Sequence, residues 1–268
     1  MDTAAYRPGV VWWHAILIGV AGVWAGMINA MVGSGTLVTF PVLVALGYPP
    51  VTATTSNAIG LAPGAVSGAI GYRYELREQA QTLVSLLPAS VVGAVVGTIL
   101  LLSLPADAFE TIVPALIVLA LVLVVIQPKM SAWVARRQAH AGAGARPTAH
   151  GTVLLVTLIF LAGIYGGYFT AAQGVLLMAI MGILMTERLQ TLNGIKNVLS
   201  AAVNIVAGVV YAFVAPISWP VVGLLAVGSV IGGHLGAKIG RKLSPRMLRG
   251  AIVVIGSAAV VQLVATGW

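Results

Sequence analysis

The sequence has almost no charge and no cysteine at all. Charged residues make up 7% of its 268 positions, and 59% of the positions are hydrophobic. A soluble domain carries about 25% charged residues, and the mean hydropathy of this chain is +1.03. A water-soluble fold is therefore excluded. The absence of cysteine excludes disulfides, iron–sulfur clusters and thiol nucleophiles.

Acidic residues are also scarce, and none of the six lies deep in a predicted membrane segment: Asp2, Glu75, Glu78, Asp107, Glu110 and Glu187. Metal binding inside a membrane and proton relay by carboxylates need such an acid, so cation transport by side-chain carboxylates is disfavoured. The four histidines show no metal-ligand spacing. No Ser/His/Asp set and no P-loop is present. We expect no metal, no cofactor and no enzymatic activity.

Long uncharged runs fill the chain, and the longest extends from Pro8 to Tyr72. A hydrocarbon core of ~30 Å takes ~20 apolar residues per helix, so the runs predict about ten segments of an all-α polytopic membrane protein. Gly, Pro and turn residues place these segments near 11–31, 36–46, 51–71, 80–102, 110–127, 151–169, 175–186, 191–213, 219–238 and 248–266. The second and seventh are short, and we expect half-helices or re-entrant segments there.

Lysine and arginine are concentrated on one side of these segments. If all ten cross, that side receives Arg73, Arg77, Lys129, Arg136, Arg137, Arg146, Arg188, Lys238, Arg241, Lys242, Arg246 and Arg249. Positive loops stay cytoplasmic, so we expect a multi-pass protein of the cell (inner) membrane with both termini extracytoplasmic. No contiguous basic face with interleaved aromatics occurs, which disfavours nucleic acid as a partner.

The two halves of the chain resemble each other. When one half is laid over the other, seven identical residues coincide. The pairs are Gly26 with Gly166, Asn57 with Asn197, Gly68 with Gly208, Ser90 with Ser229, Gly93 with Gly232, Gly97 with Gly236, and Leu104 with Leu243. This predicts a first repeat at 1–127, a basic cytoplasmic loop at 128–150 and a second repeat at 151–268. Five segments per half is an odd number, so the second half would enter the membrane inverted, as in many transporters. We interpret the Gly-x-x-x-Gly spacings as helix-packing contacts.

A single cation lies inside a predicted span. Lys196 is six residues into the eighth segment, roughly 9 Å deep at about 1.5 Å per residue. An intramembrane lysine marks a functional site by default, although a lysine near a helix end can also snorkel to the surface. On the functional interpretation Lys196 binds an anion. Its removal should then leave folding intact, because no acid in the span pairs with it.

Two breaks, each followed by a short segment, complete the candidate site. Each break begins a helix N-terminus with unpaired N–H groups and a partial positive charge, and such ends bind anions. The alternative is an ordinary Gly-rich surface loop. The paired Asn amides either donate to the same anion or join helices. The candidate binding residues are Gly33, Ser34, Gly35 and Thr36 in the first break, Gln173 and Gly174 in the second, and Lys196, Asn57 and Asn197.

Three stretches carry a family resemblance. They are Gly47–Ser56 after the first break, Asn193–Asn197, and the Gly-rich Ser229–Gly240. Together they resemble the sulfite exporter TauE/SafE family, and they add Ser56 and Asn193 to the candidate binding residues. The resemblance implies secondary export of sulfite or small organosulfonates from the cytoplasm. The chain departs from the family pattern at Gly33-Ser34-Gly35, which replaces a longer glycine run, and at Ile195, which replaces a threonine.

Three classes of function remain at this point. The first is a secondary carrier for a small sulfur-containing anion, with the lipid bilayer as its surroundings. The second is a passive anion channel that uses the same site without alternating states. The third is a non-transporting membrane subunit. The sequence does not fix the substrate, the coupling ion or the oligomeric state.

Overall fold

Nine α-helices form the part of the chain that the computed structural model describes, which is residues 12–140 and 149–239 with positions 250, 253, 254 and 257. No strand occurs within these ranges. The helices are α1 (Trp12–Met31), α2 (Thr36–Ala45), α3 (Pro50–Gly71), α4 (Ala80–Ser103), α5 (Ala106–His140), α6 (Ala149–Tyr168), α7 (Gln173–Leu184), α8 (Leu189–Val214) and α9 (Trp219–Ile239).

Six of these helices are long and apolar enough to cross a bilayer, which confirms an all-helical polytopic membrane protein. The six spans lie in α1, α4, α5, α6, α8 and α9, whereas α2 and α7 are short apolar helices. Helix α3 has the length of a span, with 22 residues, but it is rich in Thr, Ser, Gly and Asn. These polar groups are tolerated because α3 packs between α8 and α9, with most of its first three turns buried.

Both ends of eight helices lie within two residues of the sequence prediction, and α5 is the exception. It begins at Ala106 and continues to His140, whereas the sequence predicted 110–127. The stretch after Pro128 is rich in strong helix formers, so its polar composition does not end the helix. The predicted loop at 128–150 therefore begins as helix. The tenth predicted segment, 248–266, lies almost entirely outside the described residues.

Two helix pairs are joined through glycines at matching positions. In α9, a Cβ added to Gly232 would lie 1.9 Å from the carbonyl oxygen of Val23 in α1. In α4, a Cβ added to Gly93 would lie 2.2 Å from the carbonyl oxygen of Phe160 in α6. The backbones approach this closely because glycine has no side chain. The packing interpretation of the Gly-x-x-x-Gly spacings is confirmed at these positions.

The same two interfaces contain a second pair of close glycine contacts. A Cβ on Gly26 would lie 2.3 Å from the carbonyl oxygen of Ser229, and one on Gly163 would lie 2.6 Å from that of Ser90. Gly26 of α1 and Gly163 of α6 therefore make similar contacts with a serine carbonyl of the facing helix.

The core is shared between the two halves of the chain. The most extensive contacts join α1 to α9, α4 to α6, and α3 to both α8 and α9. Each of these pairs combines a helix before residue 140 with one after residue 149. Neither half therefore has a separate core, and the links at 32–35 and 169–172 are brought together inside the shared one.

Candidate functional site

The two helix breaks meet in the interior. The first, at 32–35, joins α1 to α2, and the second, at 169–172, joins α6 to α7. The Gly174 N–H donates to the Gly33 carbonyl at 3.0 Å. Gly33 has a φ of 88°, and a Cβ there would lie 2.4 Å from the Gly174 Cα. Both the conformation and the close approach require glycine at position 33.

Lys196 lies beside this junction and is completely buried, with 0% of its surface exposed. Its Nζ donates to the carbonyl oxygens of Asn29 at 2.9 Å and Ala30 at 3.1 Å. These carbonyls belong to the last turn of α1, where a cation is favoured by the helix dipole. The snorkelling interpretation is wrong for this lysine. No acidic side chain is among these partners, and the C-terminus of α1 uses two of the three ammonium N–H groups.

The two paired asparagines are already engaged within the fold. The Asn197 Nδ2 donates to the Ala30 carbonyl at 3.2 Å, so it supports the same end of α1 as Lys196. The Asn57 Nδ2 donates to the Thr36 hydroxyl at 3.0 Å, and the Thr39 hydroxyl donates to the Asn57 Oδ1. Both amides therefore join helices, which is the alternative that the sequence left open for them.

The helix N-termini at the breaks are also less open than the sequence suggested. In α7 the N–H groups of Gln173, Gly174 and Val175 all donate to backbone carbonyls. In the first link the Gly35 N–H donates to the Asn29 side chain at 3.1 Å. The helix dipoles still place partial positive charge at the junction. The N–H groups named here are, however, already used and are not free for a ligand.

Unpaired side-chain groups occur at both breaks and in the first turns of α8. The Ser34 hydroxyl, both amide atoms of Gln173 and the Asn193 Oδ1 are buried without a hydrogen-bond partner. Ser34 is 1% exposed and Gln173 is 2% exposed. Lys196 adds one more donor, since an ammonium has three N–H groups and two are used. Buried polar groups are normally paired, so these unpaired groups are candidates for contact with a ligand.

Local packing explains how Gln173 is held. A Cβ on Gly166 would lie 2.3 Å from the Gln173 Cδ, so the Gln173 side chain lies directly on the bare backbone of α6. A Cβ on Gly174 would lie 3.1 Å from the Cδ of Lys196. Glycines at 166 and 174 thus let the amide and the lysine stem pack against backbone on either side of the second break.

Ser56 does not belong to this group. Its hydroxyl accepts a hydrogen bond from the Ser218 N–H at 3.0 Å, and the neighbouring Thr55 hydroxyl donates to the Pro216 carbonyl at 2.7 Å. Both contacts fasten the first turns of α3 to the link between α8 and α9. Ser56 is therefore engaged in structure, away from the junction contacts described above.

Sequence reasoning missed three residues that build the junction. Asn29 supplies a side-chain acceptor to Gly35 and a carbonyl to Lys196. Thr39 holds Asn57. The Tyr211 hydroxyl donates to the carbonyl of Gly167 near the end of α6. Asn29 could have been recognised from the sequence, because it is a polar residue in the last turn of the first apolar segment. Nothing in the sequence distinguishes Thr39 or Tyr211 in this way.

The described residues offer no alternative chemistry at the junction. No three His, Asp or Glu side chains come together as a metal site within these ranges. The acidic residues nearest in sequence lie in connecting links, with Glu75 and Glu78 in 72–79 and Glu187 in 185–188. Within the described residues, the junction therefore holds neutral polar groups and one basic side chain, Lys196.

The fold and this junction define the class of polytopic helical membrane proteins with broken helices around a buried polar site. The family model of the sulfite exporter TauE/SafE family matches residues 18–263. The chain belongs to that family.

Curated relatives agree with this assignment. The chain is 23% identical over 248 residues to the probable membrane transporter protein ORF9 of Sinorhizobium sp, covering 92% of this chain and 90% of that protein. It is 26% identical over 253 residues to a probable membrane transporter protein of Haemophilus influenzae, covering 92% and 93%. It is 24% identical over 254 residues to the probable membrane transporter protein YfcA of Escherichia coli K12, covering 92% and 90%. The chain is a multi-pass membrane transporter.

Proposed function

We propose that this protein is a secondary transporter that exports a small sulfur-containing anion, sulfite or an organosulfonate, from the cytoplasm. The observation that carries the proposal is the junction of the two breaks, where unpaired Ser34 and Gln173 groups lie beside the buried charge of Lys196. The family name supports a sulfur oxyanion as the substrate. The absence of acidic side chains from the contacts of Lys196 supports an anion rather than a cation.

The chemistry of the junction fits a small oxyanion. An anion that leaves water must regain charge and donors to replace its hydration. Lys196 supplies a charge and one N–H, while Ser34 and Gln173, in and next to the two joined breaks, supply neutral donors. Partial charges at the starts of α2 and α7 add to this attraction. Gly33, Gly35 and Gly174 keep the backbone close, and Thr36 lies in the first turn of α2.

We further propose that the protein consists of two inverted repeats of five segments each. The matched glycine contacts of α1 with α9 and of α4 with α6 support this arrangement. The connecting links also match, since 32–35 corresponds to 169–172 and 46–49 to 185–188. Inverted repeats with broken helices give two alternative openings around one central site, which suits a carrier better than a channel.

The test of the function is thermal stabilisation of the purified protein by anions. We expect sulfite or an organosulfonate from a panel with sulfate, thiosulfate and taurine to raise the melting temperature, because a ligand that binds only the folded state stabilises it by mass action. At about 100 times the dissociation constant the gain is about 2.7 kcal/mol. Chloride at matched ionic strength is the control.

Transport in liposomes separates the three classes of function. A carrier accumulates labelled substrate against its gradient when a coupling ion gradient is imposed, whereas a channel only equalises it. If no anion of the panel stabilises the protein and none crosses the membrane, the function proposed here is wrong and a non-transporting role is favoured.

The orientation gives a separate prediction. With both termini extracytoplasmic, the 72–79 link should face the cytoplasm. The chain has no cysteine, so a single cysteine in place of Glu78 gives a clean background for labelling. We expect labelling of Glu78→Cys by a membrane-impermeant thiol reagent only in inverted vesicles, and an extracytoplasmic reporter signal at Trp268. Labelling from outside intact cells would contradict the orientation.

A further inference from the structure

The two breaks differ in the side-chain hydrogen bonding of the helix residue that follows each of them. Thr36 opens α2, and its hydroxyl accepts from Asn57 at 3.0 Å. Gln173 opens α7 in the corresponding place, and neither its Nε2 nor its Oε1 has a partner. The first residue of α2 is therefore satisfied within the fold, although the Ser34 hydroxyl before it is unpaired. The first residue of α7 is not satisfied, and its amide retains both a donor and an acceptor for a ligand.

The free groups include acceptors as well as donors. An amide side chain offers a carbonyl oxygen and an NH₂ group. The Nε2 of Gln173 and the remaining N–H of Lys196 suit the charged oxygens of an anion. The Oε1 of Gln173 does not, because two oxygen lone pairs repel each other and a buried acceptor left unpaired costs about 1–3 kcal/mol. Only a ligand that itself carries a hydrogen-bond donor satisfies this atom.

We propose that the site selects a singly protonated oxyanion, one that bears an O–H group as well as a negative charge, and that Gln173 is the specificity-determining residue. Gln173 Nε2 donates to an unprotonated oxygen of this ligand, and Gln173 Oε1 accepts from its O–H. The inference rests on the function proposed above and narrows its substrate to an acid anion such as hydrogensulfite. A fully ionised dianion, or a sulfonate without an O–H, leaves Oε1 unsatisfied.

A matched pair of probes tests this directly. Methylphosphonate as its monoanion carries one O–H, whereas methanesulfonate has nearly the same shape and charge without one. We expect methylphosphonate to bind the wild-type protein about 10–100-fold more tightly, because a site with a buried acceptor rejects the analogue that lacks the donor. Thermal stabilisation at graded concentrations gives both dissociation constants.

The pH dependence of sulfite binding is the second readout. As the pH rises, sulfite passes from the singly protonated form to the dianion, so the apparent affinity should fall by about tenfold per pH unit. Four titratable groups adjoin the second break. They are Lys196 from α8, Tyr211 from α8, whose hydroxyl donates to the Gly167 carbonyl, Tyr165 from α6, whose hydroxyl donates to the Ala171 carbonyl, and Tyr168 at the end of α6. Methanesulfonate has no O–H to lose, so its binding curve over the same pH range reports any contribution from these groups.

The variant Gln173→Leu removes both amide atoms and should bring the ratio of the two dissociation constants close to one. The matched control is Gln127→Leu, since Gln127 is another buried glutamine with an unpaired Oε1. It lies in α5, 18 residues beyond Phe109, whose ring contacts Phe169 of the second break. We expect Gln127→Leu to keep the wild-type ratio.

The outcomes are distinct. If wild-type protein binds methanesulfonate as tightly as methylphosphonate, or binds the sulfite dianion best, the selection for a protonated anion is wrong while the anion transporter stands. If Gln173→Leu keeps the wild-type ratio, Gln173 is not the specificity residue. If no anion binds the wild-type protein, the proposed function itself fails. The wild-type measurements hold even if the variant does not fold.

Discussion

Replacing Lys196 with alanine should both destabilise the protein and abolish its stabilisation by anions. The change removes the donor of the Asn29 carbonyl, while Asn197 still serves the Ala30 carbonyl. A buried acceptor left unpaired costs about 1–3 kcal/mol, and the lost lysine stem adds a cavity. We expect a clearly lower melting temperature in detergent, which reverses the expectation from sequence that folding would be unaffected.

Two further variants separate the roles of Lys196. Lys238→Ala makes the same substitution at an exposed lysine in the last turn of α9, and it should leave the melting temperature unchanged. Lys196→Met keeps most of the stem but not the charge, so it should recover part of the stability and none of the anion response. An anion response that survives in Lys196→Met would show that the ammonium serves only to hold α1.

Substituting Gly232 or Gly93 with alanine should disrupt the fold at corresponding places. A Cβ at these positions would lie 1.9 Å and 2.2 Å from backbone carbonyl oxygens of α1 and α6. Neither contact involves a side-chain end that can move aside, so the helices must separate. We expect each variant to lose about 3 kcal/mol or more, measured as a fall in melting temperature or in the yield of folded protein.

The control for Gly232→Ala is a substitution at another glycine of α9. Gly223 has no atom within 4 Å of an added Cβ, so Gly223→Ala should be neutral or stabilise the helix by about 0.5–1 kcal/mol. If Gly232→Ala and Gly223→Ala melt at the same temperature, the close approach of α9 to α1 is not needed for stability. The packing interpretation of these glycines would then be wrong.

The helices were largely predictable because their ends are marked locally. Helix α2 begins after a Gly-Ser-Gly stretch, and α3 begins at Pro50, a favoured first helical residue. The error at α5 has a local cause as well. Polar residues after Pro128 looked like a loop, but Ala, Arg, Gln and Met are good helix formers, and Pro128 is accommodated inside the helix.

The site was predictable only in part. Lys196 was identified because a charge in an apolar run stands out, and its burial is confirmed. Its partners were not identified, because they are backbone carbonyls of Asn29 and Ala30, and every residue has a carbonyl. Contacts between residues so far apart in the chain leave no local pattern. The same limit applies to Asn57, whose amide is satisfied by threonines of α2.

The pairing of α1 with α9 has a consequence for biosynthesis. Helix α1 ends at Met31 and α9 begins at Trp219, so 187 of the 268 residues, 32–218, are synthesised between the two. At about 5–20 residues per second, that interval is roughly 10–40 s. During that time the surface of α1 that will receive Gly228, Gly232 and Gly236 has no permanent neighbour. The nascent chain must therefore be held in an unfinished arrangement, by lipid or by the insertion machinery, until its ninth helix arrives.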